Sequence, residues 1–310
     1  MNEFYAKLAN ISPERRRLIE QRLAERGYQS ALDSAIPGRE EGAGDRPLSF
    51  AQQRLWFIQQ LEPDNTAYNM RSILRFRGKL DRTALEEALA KVVQRHEPLR
   101  TRFIPGADGF PEQDILAAGN AEIEFLDLAQ DTDAEAAAKQ HILQRLSEPY
   151  DLSHPQLRAM LVRLSAEDHL LAVGLHHIAG DRWSMTVLAR DLAGFYKETT
   201  GQLHHLPDIR VQYADWAIWQ GKMLRGPVLE NQLAYWKKAL GTDLPVLDLP
   251  FDRPRPAIAT FLGAQFAVSV DPALSGQLRA LARAHNVSLY VLLLSAFKLV
   301  LHLHCDSDDI

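Results

Sequence analysis

The side chains best suited to chemistry in this chain stand in one short stretch, "LAVGLHHIAGDRWSM", at residues 171–185. His176 and His177 are consecutive, Asp181 follows four residues after the second, and Arg182 and Ser184 come next. Imidazole changes charge near neutral pH, so it suits proton transfer and the positioning of a nucleophile. The pair falls where an apolar run stops and a helix starts. Neighbouring side chains on a strand point to opposite faces, so the two histidines cannot do the same job unless the strand has ended before the second; one is expected to face the packed interior and the other a cavity or cleft. Asp181 lies across a turn containing Gly180, where it either caps the following helix, accepts from an arginine or holds the loop. Ser184 is a second candidate for the helix-terminal amides. Spacing alone also fits two core histidines. No third ligand stands at a recognised spacing, so no metal site is expected. A serine hydrolase is disfavoured because the chain has no G-x-S-x-G elbow. The second double histidine, His204 and His205, reads as a solvated loop.

An alternation of strands and helices must position these residues, which makes the fold class α/β. "LRAMLVRL" and "HLLAVGLH" read as a strand hairpin across "SAED", and the second strand is apolar enough to be buried on both faces. The helix after it carries Met185, Leu188, Leu192, Phe195 and Tyr196 on one stripe. Upstream, "SFAQQRLWFIQQL" has helical spacing and "RSILRFRG" is a strand ending at Gly78. "DRTALEEALAKVVQRH" is a helix capped by Asp81. "LRTRF" and "AEIEFLDL" are strands, and residues 134–146 form a helix. Downstream, "VQYADWAIWQ" and "LENQLAYWKKAL" are helices and "LPVLDLPFDRPRPAI" is a proline-rich crossing segment. "GAQFAVSVD" is a strand, followed by the helix "PALSGQLRALARAH" and a buried helix from Ser288. "SPERRRLIEQRLAERG" predicts an N-terminal helix with a cap at Ser12 and a stop at Gly27, joined by a Gly- and Pro-rich linker to the α/β region. The expected division is residues 1–46 as helix and linker, 47–225 as a first lobe and 226–310 as the start of a second.

At 310 residues, with 46% hydrophobic and 24% charged side chains, the composition is that of an ordinary globular chain with a sizeable core. The net charge of −5 is spread along the sequence, with no basic stripe for nucleic acid. A single cysteine, Cys305, fits a reducing compartment and reads as a core thiol. No secretory signal opens the sequence and the long apolar stretch near residue 300 is broken by Lys298, so a cytoplasmic location without membrane contact is expected.

Four stretches in order carry a family resemblance. "LSFAQQRLWFIQQLEPDNTAYNM", "RHEPLRTRF", "HHIAGDRWS" and "VQYADWAIWQ" resemble the first four motifs of nonribosomal peptide synthetase condensation domains. "EPYDLSHPQLRAMLVRL" and "LPFDRPRP" are similar to the family as well. The resemblance covers residues 47–310. It implies a chloramphenicol acetyltransferase-like fold of two α/β lobes, with a tunnel between them. It implies peptide-bond formation, in which an acceptor aminoacyl amine attacks a donor acyl or peptidyl thioester. No cofactor is bound directly; both substrates arrive on the phosphopantetheine of partner carrier proteins, beside adjacent synthetase modules. By motif match His177 is the catalytic histidine, and His176, Asp181 and Ser184 are structural. Asp181 is expected to be buried and to hold the loop through an arginine. A heterocyclisation subtype, with aspartate in place of His176, is disfavoured. Two departures stand out. The second lobe is expected to be incomplete, with the arginine partner in the missing part, so that this chain alone is inactive. Arg182 also occupies the position of the signature glycine, where it is a candidate gate of the acceptor channel. Both departures leave a non-catalytic role as a carrier-docking or recruitment platform as the alternative.

Overall fold

The computed structural model describes residues 36–39, 46–106, 109–117, 121–242, 244–254, 256–257, 263 and 266–310. The expected helix at residues 12–27 lies outside the described residues. Two compact units divide between Leu224 and Arg225.

The first unit runs through helix α1 (Phe50–Leu61), strand β1 (Asn69–Arg77), helix α2 (Arg82–Arg95) and a short 3-10 turn (Glu97–Arg100). Strands β2 (Thr101–Pro105), β3 (Pro111–Ile115) and β4 (Glu124–Asp127) follow, then helix α3 (Ala134–Leu146), strands β5 (Leu157–Ser165) and β6 (Asp168–His176), and helices α4 (Arg182–Thr199) and α5 (Tyr213–Met223). The main sheet has the order β1-β6-β5-β4. The β6 strand pairs antiparallel with both neighbours, and β4 joins β5 in parallel through the crossover helix α3. A separate hairpin of β2 and β3 stands beside it.

Strand alternation sorts the side chains into two cores. Leu161, Leu171, Val173 and Leu175 pack with Leu85, Leu89 and Val92 of α2 and with Leu188 and Leu192 of α4. On the other face, Met160, Val162, Leu170 and Ala172 pack with Ala138, Ile142 and Leu146 of α3. A strand covered on both sides has no solvated face, which is why β6 reads as an almost unbroken apolar run. Gly174 lies on the α3 face, where a Cβ would stand 2.7 Å from the Leu146 Cδ2 and 2.8 Å from the Tyr150 hydroxyl oxygen. Only a residue without a side chain lets α3 and the Tyr150 loop lie this close to the sheet.

Within the second unit, helices α6 (Gly226–Leu240), α7 (Pro272–Ala284) and α8 (Leu289–Cys305) form as the pattern predicts. Asp271 and Ser288 cap the last two. Two expectations are corrected here. Residues 266–270 of the expected strand "GAQFAVSVD" are in no strand, because no described segment of this unit offers a ladder to them. The α8 helix is apolar but not buried: Leu293, Phe297 and Leu303 are exposed, since α7 contacts it while no described sheet of its unit lies beneath. Among the described residues, no single helix is long and apolar enough to cross a membrane.

Candidate functional site

The β6 strand ends at His176, so strand alternation is not what separates the two histidines. His177 is the first residue of a tight turn and is exposed, while His176 is buried on the α3 face. The turn is held at almost every backbone group. The His177 amide donates to the Tyr68 carbonyl (2.9 Å) and the Ala179 amide to the His176 carbonyl (3.0 Å). The Ile178 amide donates to His176 Nδ1 at 3.1 Å, and the Ile178 carbonyl accepts from Gln52 Nε2 at 3.2 Å. At Gly180 a Cβ would come within 2.9 Å of Leu175 Cδ2 and 3.1 Å of Ser184 Cβ, so a larger residue here would press on a core leucine and on the serine of the helix cap. His177 therefore leaves a fixed backbone and reaches solvent.

Burial, with the His177 charge second, pushes the His176 imidazole down to about 4, so it is neutral at physiological pH. A neutral ring whose Nδ1 accepts an amide proton carries its own proton on Nε2. Tyr68 and Tyr150 flank this ring, with centroids at 6.3 Å and 5.9 Å.

Asp181 is the N-cap of α4. Its carboxylate accepts from the Ser184 amide and the Ser184 hydroxyl, both at 2.7 Å, and the Ser184 oxygen accepts from the Asp181 amide at 3.1 Å. This reciprocal pair satisfies orphan groups at the helix start, and the Ser184 hydroxyl, then its amide, hold the Asp181 carboxyl below the ordinary carboxylate range. The expected burial of Asp181 is corrected: the residue is exposed, because its partners belong to the first turn of its own helix. Arg182 is the first residue of α4 and is also exposed, and its guanidinium makes no hydrogen bond or ion pair among the described residues. No group of three or more His, Cys, Asp or Glu suited to a metal ion occurs among them.

Side-chain bonds link the four sequence motifs to one another. Ser49 caps α1 with Gln52 in a reciprocal box, and the Ser49 hydroxyl lies 2.9 Å from that of Tyr213. Asp191 of α4 is buried and accepts from Arg95 Nε (3.0 Å) and Arg190 Nε (2.8 Å), with His96 Nε2 at 2.8 Å. Burial alone would raise the Asp191 pKa, but the bonds from Arg190, His96 and Arg95 outweigh it and hold the carboxyl low. Gln212 bridges back to the second motif, donating to the Arg95 carbonyl at 3.0 Å. Asp215 of α5 pairs with Arg39 at 2.9 Å, and Arg39 also bonds Glu97. His204 is half-buried rather than solvated, with its Nε2 within 2.6 Å of where a Cβ on Gly194 would stand, so it packs on α4.

Sequence reasoning did not single out Gln52 and Tyr68, which bond this turn, or Tyr150, which packs on the His176 ring. A signal existed for Gln52 alone, in the spacing of Ser49 and Gln52.

Known proteins resemble this chain in sequence and in fold. The condensation domain model matches residues 43–310, and the chain belongs to that family. It is 41% identical over 268 residues to a linear gramicidin synthase polypeptide of Brevibacillus parabrevis, a match covering 85% of this chain and 3% of that protein. It is 39% identical over 306 residues to the phosphinothricin tripeptide synthetase PhsC of Streptomyces viridochromogenes, covering 97% of this chain and 28% of that one. The chain thus spans only a minor part of both relatives. Among solved structures, the X-domain of teicoplanin biosynthesis in its complex with OxyB matches with a TM-score of 0.74 and 29% identity, over 87% of this chain and 59% of that one. The first condensation domain of the calcium-dependent antibiotic synthetase matches in fold with a TM-score of 0.70 and 23% identity, over 86% and 61%. The fold is the chloramphenicol acetyltransferase-like fold of condensation domains.

Proposed function

We propose that this chain carries the catalytic histidine of a condensation reaction between two substrates held on carrier proteins. The observation behind this reading is the division of labour in the motif. His176 is buried and neutral, Asp181 and Ser184 are bound to each other, and His177 alone reaches outward from a rigid turn with its ring free for a substrate. The acceptor amine attacks the donor thioester carbon, the C–N bond forms, and the C–S bond breaks. The amine proton passes to the departing sulfur, which leaves as the thiol of the donor phosphopantetheine. A free α-amino group has a pKa of roughly 7.7–8.0, so the amine is already partly neutral near pH 7. His177 therefore orients the amine and takes its proton from the zwitterionic intermediate, rather than acting as a strong base. The partners are a donor and an acceptor carrier protein and adjacent synthetase modules, in the cytoplasm.

The test is amide formation between two loaded carriers by an intact two-lobed condensation domain carrying these residues, with His177 or with His177→Ala. General base work predicts a loss of ~10²–10⁴-fold, milder for acceptors whose amine is already neutral. Equal rates for every acceptor would overturn the assignment. The non-catalytic reading, a platform that docks carriers or recruits another protein, is favoured by the likeness to an X-domain solved with OxyB and by Arg182 at the signature glycine position. Carrier binding without product, in parent and variant alike, would establish it instead.

A further inference from the structure

On the α3 face of the main sheet, around His176, four buried polar atoms have no hydrogen-bond partner among the described residues. They are Asn69 Oδ1, Tyr150 Oη, Gln156 Oε1 and His176 Nε2. Strand register brings them to one end of one face. Asn69 is the pairing partner of His176 across β1 and β6. Gln156 immediately precedes Leu157, the partner of Leu175. The Tyr150 ring stands edge-on to the His176 ring, and its hydroxyl lies over Gly174, two residues earlier on β6. His176 is 1% exposed, Gln156 0% and Tyr150 5%, so bulk water does not reach these groups.

The polarity of each atom is set by its neighbours. Asn69 Nδ2 donates to the Leu146 and Glu148 carbonyls at 3.2 and 2.9 Å, which turns Oδ1 the other way as an acceptor. Gln156 Nε2 donates to the Asp151 carbonyl at 3.0 Å and to that of His154, which does the same for Oε1. His176 receives the Ile178 amide on Nδ1, so its Nε2 is a donor. Tyr150 adds a hydroxyl that burial keeps protonated, its pKa pushed up to about 12. The set is two donors and two acceptors. That is the complement of one water molecule, and buried polar groups left by the protein itself are commonly completed in this way. The Tyr150 loop is clamped against this spot from outside, since Arg158 stacks over the Tyr150 ring at 3.8 Å and bonds the Glu148 and Pro149 carbonyls.

We propose that Asn69, Tyr150, Gln156 and His176 enclose an internal water that belongs to the fold, and that through it Tyr150 is a positioning residue for His177. The second half rests on the reading of His177 as the catalytic histidine; the first half does not. The water accepts from His176 Nε2 and from Tyr150, and donates to Asn69 and Gln156. It thereby fixes the ring that anchors the turn from which His177 projects.

A crystal structure at a resolution showing ordered solvent tests the site directly. A water within hydrogen-bonding distance of His176 Nε2 and at least two of the other three atoms is expected. A direct bond from His176 Nε2 to a side chain, or no water there, overturns the site. The positioning role is read from Tyr150→Phe, which removes one oxygen and keeps the ring. In an intact two-lobed condensation domain carrying these residues, condensation of two loaded carriers should fall towards the ~10²-fold that about 1 Å of misplacement costs, with KM for both carriers unchanged and the His177 ring resonances shifted. In the His177→Ala background the same substitution should have no further effect on rate. Parent-like rate and His177 resonances in Tyr150→Phe, or a second full loss on His177→Ala, would refute positioning. If Tyr150→Phe does not fold, Gln156→Leu removes another of the four partners and is held to the same outcomes. Should His177→Ala itself match the parent rate, the catalytic reading fails while the crystallographic result still decides the water site.

Discussion

Lowering the pH from 7 to 4 should selectively weaken the first unit through His176. Its imidazole has an ordinary value of 6.5 and is held down to about 4 in the folded chain, burial being the larger cause. The unfolded chain therefore binds a proton that the folded chain refuses across this window. The stability is present above 6.5 and is lost as the pH falls. One pKa unit is worth about 1.36 kcal/mol, so the loss from this residue is ~2 kcal/mol at pH 5 and ~3 kcal/mol at pH 4. In urea, with an m-value of about 2 kcal/mol/M, the midpoint moves down by about 1 M between pH 7 and pH 5. His96 contributes a slope of the same sign, because burial lowers its pKa too, so the parent must be compared with His176→Asn. That variant keeps the His96 contribution and removes only the His176 proton. Intrinsic fluorescence reports the unit well, since Trp56, Trp183, Trp216 and Trp219 all precede Leu224. Two results would refute the reasoning. One is an equal dependence of the midpoint on pH in parent and variant. The other is a His176 ring titrating near 6.5 by NMR in the native parent.

Asp181→Ala removes the cap of α4 and should cost about 0.5–2 kcal/mol, read from the melting midpoint; Asp181→Asn, which can still cap, should lose less. A variant Asp181→Ala that melts with the parent would leave the box without a stabilising role. In an intact two-lobed condensation domain, Arg182→Gly should let an acceptor phosphopantetheine arm enter more readily or change which acceptor is used. Removing a cation from the positive end of a helix favours stability by roughly 0.3–1 kcal/mol, which the helix-propensity cost of glycine, up to about 1 kcal/mol, offsets. Identical acceptor affinities and rates across neutral and acidic acceptors would leave Arg182 without a gating role.

The fold class and most elements of the first unit were legible because local pattern and tertiary burial agree there. The α3 helix coincides with the predicted residues 134–146, and the β5–β6 hairpin falls on the two apolar runs. The β3 strand was missed because "PEQDI" has almost no apolar signal and is defined by its pairing with β2. The strand expected at residues 263–271 has the alternation but no described ladder to join, and alternation cannot supply a partner. The α8 helix shows the same limit from the other side, since apolar composition states a wish for burial and not what provides it. At the site, the HHxxxD spacing located the turn, while the roles assigned to its residues come from the resemblance alone. The Asp191 cluster and the polar ring around His176 were not legible, since each gathers residues from distant segments whose types are unremarkable alone.

The pairing of β1 with β6 joins segments roughly a hundred residues apart, a separation that places the chain on the slow side of folding topologies. The β5–β6 hairpin and the α3 crossover are local and can assemble among themselves. The β1 strand leaves the ribosome long before its partner exists and must wait without a mate. Its sequence suits the wait, because Arg71, Arg75 and Arg77 place a row of positive charge along one face of an otherwise sticky strand. In the finished sheet Arg75 meets Asp168 and Glu135, so a charge that would disfavour wrong pairing of the lone strand also ties β1 to β6 and α3 once the sheet is built.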